Sequence, residues 1–574
     1  MARKLSSSYS LILSIFLLLG LIGAVPLEGP SSYASFTLDA SLFPPESDYD
    51  YIIVGGGTAG CPLAATLSES HRVLLLERGG APEEFPSLAT QEGFLQTLVS
   101  TDSPDSPAEA FVSEDGVPNA RGRVLGGSSA INAGFYSRAH RGFFSGAVTH
   151  WDMPLVNESY DWVERAVAFR PVLRSWQSAV RDGLLEANVT PYNGFSVHHI
   201  PGTKIGATTF DSSGRRHSAA DLLAFAQPDR IHVALRATVD RVLFNLIPPD
   251  YRRGRQQQSS VSAIGVVFRD RFGRRHHAMI RPGGEVLLSA GTLGSPQLLL
   301  LSGVGPAAYL SSWGIPVAAD NPHVGQHVFD NPRNGISVIP SVPLEHSLIQ
   351  VVGIPPDEDS SPFLEAASNV VPFFSPPRSV FLRSPSSPLY VTVATLMEKV
   401  PGPASVGSLR LSSLDPRDNP IVRFNYFSDR QDLDRCVAGV RRIGEVMEGR
   451  SMEEFRSAVG WWRGGRREFR YVGPALPANT SGDAAVAEFC RRTVATIWHY
   501  HGGCVAGKVV DGDFRVIGVR DLRVVDGSTF MVSPGTNPQA TLMMMGRYVG
   551  KKMLAERRNR SQRRRGLRPP QPSL

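Results

Sequence analysis

His499 and His501 stand one residue apart in the segment 496–504, TIWHYHGGC, between a tryptophan and a pair of glycines. An imidazole is largely neutral near pH 7 and can take a proton, ligate a metal or hold a structural hydrogen bond. In an extended segment residues i and i+2 point to the same side, so a metal grip is conceivable. A zinc-type site requires at least three protein ligands, and Cys504 is the one close candidate. No metal is therefore expected, and a hydrogen-bonded core role suits at least one of the two. The residues alone leave open whether the other takes a proton from an alcohol or from a cyanohydrin.

A second constellation is Gly55-x-Gly57-x-x-Gly60 in YIIVGGGTAGCPLAATLSESHRVLLLE. The β-branched run 51–54 predicts a buried parallel strand, Leu63, Ala64 and Leu67 one face of a helix, and 72–77 the next strand. At such a junction Gly55 and Gly57 let the backbone turn and approach a pyrophosphate, while Gly60 lets the helix pack on the strand. The helix N-terminus then faces the phosphates. Glu77 ends the second strand, where a carboxylate accepts from ribose hydroxyls. The unit predicts a dinucleotide site without choosing between NAD and FAD. The loop Gly126-Gly127-Ser128-Ser129 offers further backbone donors for phosphate or flavin edges.

These residues need a large scaffold. The chain has 574 residues, 42% hydrophobic and 20% charged, which suits a big core and more than one unit, and excludes general disorder. Its net charge of +6 is misleading: from Lys551 onward nine basic residues face only Glu556, and the remainder is slightly acidic. A basic disordered tail over 556–574 is expected, and no nucleic-acid partner. Arg3 and Lys4 precede an uncharged run, 6–25, with small residues at Gly23 and Ala24. This predicts a signal peptide over 1–24, secretion, and no stable membrane span once it is removed. Sequons at Asn157, Asn188, Asn479 and Asn559 would be usable in that compartment. Of the four cysteines, Cys61 reads as a buried small hydrophobe, and Cys436 with Cys490 is the preferred disulfide pair. Strands are predicted within 236–244, 263–270, 276–281 and 284–291, a solvated loop over 248–260, irregular structure over 354–388 and a helix over 432–447.

GRVLGGSSAIN, 122–132, and GTLGSPQLLLLSGVG, 291–305, resemble the two signatures of the glucose–methanol–choline (GMC) oxidoreductase family. With DGSTFMVSPGTNPQATLMMMGRYVG, 526–550, the resemblance covers nearly the whole chain after about residue 46. GRRHSAADLL and WHYHGGC are most similar to the plant subgroup of HOTHEAD-like proteins and flavin-dependent mandelonitrile lyases. The resemblance implies an α/β fold: a doubly wound FAD domain over 46–140, 203–320 and 491–555, with an inserted substrate domain of mixed sheet and helices over 141–202 and 321–490. It implies FAD, with Thr58 and Ala59 at the pyrophosphate and Glu77 and Arg78 at the adenosine. Val124, Gly127, Ser128, Asn132, Ala133, Gly134 and Phe135 would line the flavin. Backbone groups at Val239, Trp498 and Gly527, with Pro538 and Gln539, would also touch it. Some relatives attach FAD through a histidine in the first signature's loop; Ile131 precedes Asn132 here, so the FAD is expected to be noncovalent.

The family's active-site histidine matches His499, and its second position, histidine or asparagine, matches Asn537; His501 falls to a structural role. The lyases of the subgroup carry a histidine where Asn537 stands and a tyrosine where Ile497 stands. Both departures favour oxidation of a primary alcohol, in the HOTHEAD-like case a long-chain ω-hydroxy fatty acid, by a monomer. The alternatives are a hydroxynitrile lyase and a non-catalytic secreted flavoprotein.

Overall fold

Short strands buried on both faces lie at the centre of one sheet, and an alternating strand lies against the cavity in the other. The computed structural model describes residues 32–566 apart from 43–47, 102, 104, 147, 248–259, 357–360, 374–388, 459–466 and 478–481. The expected leader, almost all of the loop 248–260 and Asn479 lie outside the described residues.

In the first sheet Val73–Leu76 is wholly buried and Asp48–Val54 nearly so, as strands covered by helices on both sides must be. The order is Thr37–Asp39, Ile231–Leu235, Val73–Leu76, Asp48–Val54, Arg275–Leu288, Ser260–Arg269 and Thr238–Ile247. The first five run parallel and the last three form an antiparallel meander. Leu522–Val524 pairs with Arg275–Leu288 and so brings the C-terminal segment to the same sheet. The helix Gly60–Ser68 packs between this sheet and the closing helix Gln539–Gly566.

The second sheet runs Arg470–Tyr471, Pro332–Ile339, Leu389–Lys399, Phe363–Phe373, Val351–Ile354, Gly202–Ile205 and Tyr192–Phe195. Pro332–Ile339 alternates buried and half-buried residues, the period-2 mark of a strand with two different faces. Ile336 and Val338 pack under the helices Ser175–Glu186, Arg430–Glu448 and Asp483–Thr493. Arg333 and Ser337 face a cavity on the other side. The helix Arg430–Glu448 begins at Asp429, whose carboxylate accepts from the Gln431 amide at 2.9 Å and satisfies one donor that the helix itself leaves unpaired. Cys436 and Cys490, on two of these helices, form the expected disulfide, with 6.2 Å between Cα atoms.

Several expected boundaries move. Thr37–Asp39 joins the first sheet, so that unit begins before residue 46. The helix Met153–Val167 packs in the core of the first unit beside the closing helix, because its buried face carries Val156, Tyr160 and Val163, and it is not part of the second. Gly202–Ile205 and Ala495–Thr496 belong to the second sheet. Gln326–Phe329, Gly407–Arg410 and Ile421–Arg423 form a small sheet whose Leu409 and Val422 pack on the first core. Within 354–388, Phe363–Phe373 is a regular strand, because each of its residues finds a partner on Leu389–Lys399. The tail expected to be disordered from 556 is helical through Gly566. Its first turn is tied down by Glu556 to Arg523 at 2.9 Å and Arg557 to Asp50 at 2.7 Å.

Replacing both Cys436 and Cys490 with alanine frees a loop whose ends are 54 residues apart. Loop-closure entropy sets the loss at about 4 kcal/mol, read as a lower denaturant midpoint; an unchanged midpoint would contradict it.

Candidate active site

The glycine motif divides into two roles. At Gly55, φ is +104°, and a Cβ would lie 2.4 Å from the Ser289 carbonyl oxygen; at Gly60 it would lie 1.9 Å from the Gly55 carbonyl oxygen. Packing forbids side chains at both. At Gly57 a Cβ would meet nothing nearer than Gly127 Cα at 3.8 Å. That position opens on a cavity of about 520 Å³ between the two sheets, within the size range of ligand sites.

Thr58, Ala59, Glu77 and Arg78 share the cavity wall with Gly127 and Ser128. The Glu77 carboxylate accepts from Gly56 N at 2.9 Å and Gly79 N at 2.8 Å, which holds the turn in place. Burial raises its pKa, against these backbone hydrogen bonds. Arg78 pairs with Glu109 at 2.5 Å. Asn132, Ala133, Gly134, Phe135, Val239, Gly527, Pro538 and Gln539 line the middle of the cavity. Asn132 Nδ2 donates to Gln539 Oε1 at 2.8 Å, and Gln539 Nε2 to the Phe135 carbonyl at 2.6 Å, stitching together segments 407 residues apart. Val124 departs from expectation: its side chain packs with Leu88, Ala108 and Ile131 rather than lining the cavity.

The reacting end is pinned from both sides by one partner run. Ala495–Thr496 pairs with Pro332 and Arg333, and His501–Gly502 with Val328 and Phe329. Between these pairings Trp498 sits at φ +60°, a left-handed conformation rare outside glycine, and the His499 amide donates to Asp330 Oδ1 at 3.1 Å. Tyr426 also donates to Asp330, at 2.5 Å. His499, Trp498 and Ile497 all reach the cavity. His501 does not: it is buried, stacked on Phe329 at 5.2 Å, with Nδ1 3.0 Å from the His499 carbonyl, to which it donates. Burial holds the His501 imidazole down at about 4. His499 is half-buried, its free surface turned to the cavity. Loss of solvent, and then the Lys399 cation, His501 and Arg333, hold it well below the usual histidine range. Both rings are neutral at physiological pH.

The Asn537 amide lies 3.4 Å from His499 Nε2. With its nitrogen toward Glu365 Oε1 at 3.1 Å and the Thr536 carbonyl at 3.2 Å, both neighbours are satisfied and its oxygen faces the imidazole. Lys399 Nζ lies 3.4 Å from His499 Nδ1 and donates to the Gly535 carbonyl at 3.1 Å. Arg333 lines the cavity with its guanidinium over Trp498 at 5.5 Å. Lys399, Glu365 and Arg333 are absent from the sequence expectations. The available signal is one charge in Pro332–Ile339, one in Phe363–Phe373 and the pair Glu398 and Lys399 in Leu389–Lys399; strand pairing sets Lys399 between Arg333 and Phe363. Among the described residues, no group of three or more His, Cys, Asp or Glu side chains could hold a metal ion.

A glycine-turned dinucleotide cradle leading to a neutral imidazole where two sheets meet defines a nucleotide-dependent redox cleft. The chain belongs to the GMC oxidoreductase family, whose N-terminal and C-terminal domain models match residues 49–333 and 403–546. It is 61% identical to the (R)-mandelonitrile lyase-like protein of Arabidopsis thaliana over 97% of this chain and 100% of that one. It is 46% identical to (R)-mandelonitrile lyase 3 of Prunus serotina, over 97% and 95%. Identity to the sinalpyl alcohol oxidase Nec3 of Nesocodon mauritianus is 44%, over 96% and 97%. A solved formate oxidase of Aspergillus oryzae shares the fold, with a TM-score of 0.71 at 21% identity over 90% of this chain and 100% of that one. The cofactor of this enzyme is FAD, and the open side of Gly57 with the facing Gly127 loop fits its pyrophosphate.

Gly57→Val is expected to fold and lose most of its flavin, read as the flavin-to-protein absorbance ratio. Gly60→Val is expected not to fold. Full flavin loading of Gly57→Val would contradict the assignment of that face.

Proposed function

We propose that this enzyme oxidises a primary alcohol, with His499 as the base. The observation that carries the reading is the pair at the cavity's end: a half-buried neutral imidazole beside an uncharged amide, Asn537. When bound, FAD supplies a two-electron acceptor for the hydride leaving the carbinol carbon. His499 takes the hydroxyl proton, as a neutral imidazole is able to do, and Asn537, with its amide nitrogen turned from Glu365 into the cavity, donates to the same oxygen and stabilises its developing charge. Ile497 keeps the wall beside them apolar.

Phe94, Leu348, Ile349 and Met397 give the cavity an apolar body, with Ser337, Thr395 and Asn369 along the sheet floor. A long-chain ω-hydroxy fatty acid is the substrate that the HOTHEAD-like resemblance favours. An aryl alcohol is the competing class, in line with what the relative Nec3 is named for. The expected N-terminal leader, with exposed sequons at Asn157, Asn188 and Asn559, supports a secreted glycoprotein. Among the described residues, no helix is long and apolar enough to cross a membrane.

Cyanohydrin cleavage is the second reading, and one observation favours it: Arg333 and Lys399 place positive charge near His499, where a departing cyanide would be stabilised. The names of two relatives point the same way. Anaerobic mixing with a panel of fatty and aryl alcohols separates the readings. Bleaching of the flavin spectrum supports oxidation; an unbleached flavin with benzaldehyde and cyanide released from mandelonitrile establishes the lyase. Within the oxidative reading, His499→Ala should slow flavin reduction by about 10²–10⁴-fold, the usual worth of a general base. His501→Ala should slow it by less than about tenfold, and equal losses would remove the distinction.

A further inference from the structure

Three side chains, Lys399, Asn537 and Glu365, are arranged about His499. Lys399 lies 3.4 Å from Nδ1 and the Asn537 amide 3.4 Å from Nε2. The far side of that amide meets Glu365 Oε1 at 3.1 Å, and Glu365 is the main carboxylate sustaining the charge on Lys399. An ammonium group donates and never accepts. While Lys399 is charged, Nδ1 must be the accepting nitrogen, so the proton of the neutral ring sits on Nε2, where the Asn537 oxygen receives it. An imidazole in that state presents a donor to the alcohol and has no lone pair for its proton. With Lys399 as a free amine, the hydrogen bond reverses: Nδ1–H donates to Nζ, Nε2 keeps a free lone pair for the hydroxyl proton, and the Asn537 nitrogen turns to the alcohol oxygen beside it.

We propose that Lys399 and Glu365 are positioning residues that decide which nitrogen of His499 carries the proton, so that alcohol oxidation proceeds only when Lys399 is uncharged. This rests on the reading of His499 as base. The step balances: the hydroxyl proton passes to Nε2, the carbinol hydride passes to FAD, the C=O bond forms, and the imidazolium shares its Nδ1 proton with the Lys399 amine.

The surroundings make an uncharged lysine accessible. Lys399 is fully buried, and burial lowers it to about 8 against the opposing pull of Glu365 and Asp330. Arg333 projects from the adjoining strand, and the Phe363 ring from the other side at 5.1 Å. His499, His501 and the Gly535 carbonyl, which accepts from Nζ at 3.1 Å, also face it. Glu398, next in sequence, lies against Gly439 on the helix-covered face.

The test is the pH dependence of anaerobic flavin reduction by a saturating alcohol, measured on holoenzyme whose flavin spectrum is intact. The wild-type rate should rise about tenfold per pH unit and level off above about pH 8, following one ionisation. Lys399→Arg keeps a cation at every accessible pH, so its rate should fall at least about 100-fold, within the worth of a general base, and lose the rise. Glu365→Gln removes the carboxylate that keeps Lys399 charged. Its rise should move about one pH unit or more lower, making the variant faster than wild type at pH 7. A merely structural role for Glu365 predicts the reverse. A flat wild-type profile from pH 6 to 9, a near-normal Lys399→Arg, or a Glu365→Gln rise that stays in place or moves upward would each overturn the proposal alone. No reduction of wild type by any alcohol at any pH would overturn the base role of His499 itself.

Discussion

One backbone constraint organises the active site: the run 328–333 pairs with both ends of the segment that carries His499. Strand pairing at Pro332 and Arg333 belongs to the second sheet, and pairing at Val328 and Phe329 to the small sheet packed on the first core. The chain between has no freedom to drift. Trp498 takes a left-handed turn, and Asp330 captures the His499 amide. A conformation that strains a non-glycine residue persists where its surroundings over-determine it, and here the surroundings are strands from both units. The imidazole is therefore presented at the seam where the dinucleotide cavity meets the second sheet.

Burial at that seam sets the chemistry. Lys399 and Glu365 are withdrawn from water and Arg333 is half-buried beside them, and isolated charges there would be costly. Their mutual proximity offsets part of the cost, and Lys399 and Glu365 are both displaced toward their neutral forms. His499 is displaced the same way. A site poised between charged and neutral arrangements suits proton transfer better than one locked in ion pairs. It also carries enough positive charge to make the distinction between oxidase and lyase a matter of chemistry rather than of fold.

Much of this arrangement is legible in the sequence, for physical reasons. Gly55 and Gly60 are demanded by carbonyl oxygens closer than any Cβ tolerates, and GxGxxG between two apolar runs signals that packing. His499 and Asn537 lie in long signature-like segments, and the structure brings them together in one cavity. The spacing of Leu433, Val437, Val440 and Ile443 predicts the helix that carries one half of the disulfide. Lys399, Glu365 and Arg333 are illegible because their meeting depends on the register of three strands distant in sequence. The unit boundaries fail for a related reason: short strands such as Gly202–Ile205 are assigned by their partners and not by their own composition. The arginine-rich end looks like a solvated tail, but Glu556 and Arg557 find charged partners on the first unit and extend the helix.

The central claim is that a carbon–hydrogen bond of an alcohol breaks beside His499. Single-turnover flavin reduction with an alcohol deuterated at the carbinol carbon tests it most directly. Bleaching is expected to be slower with deuterium than with hydrogen, accompanied by one aldehyde formed per flavin reduced. Flavin that stays oxidised while mandelonitrile is split would contradict it.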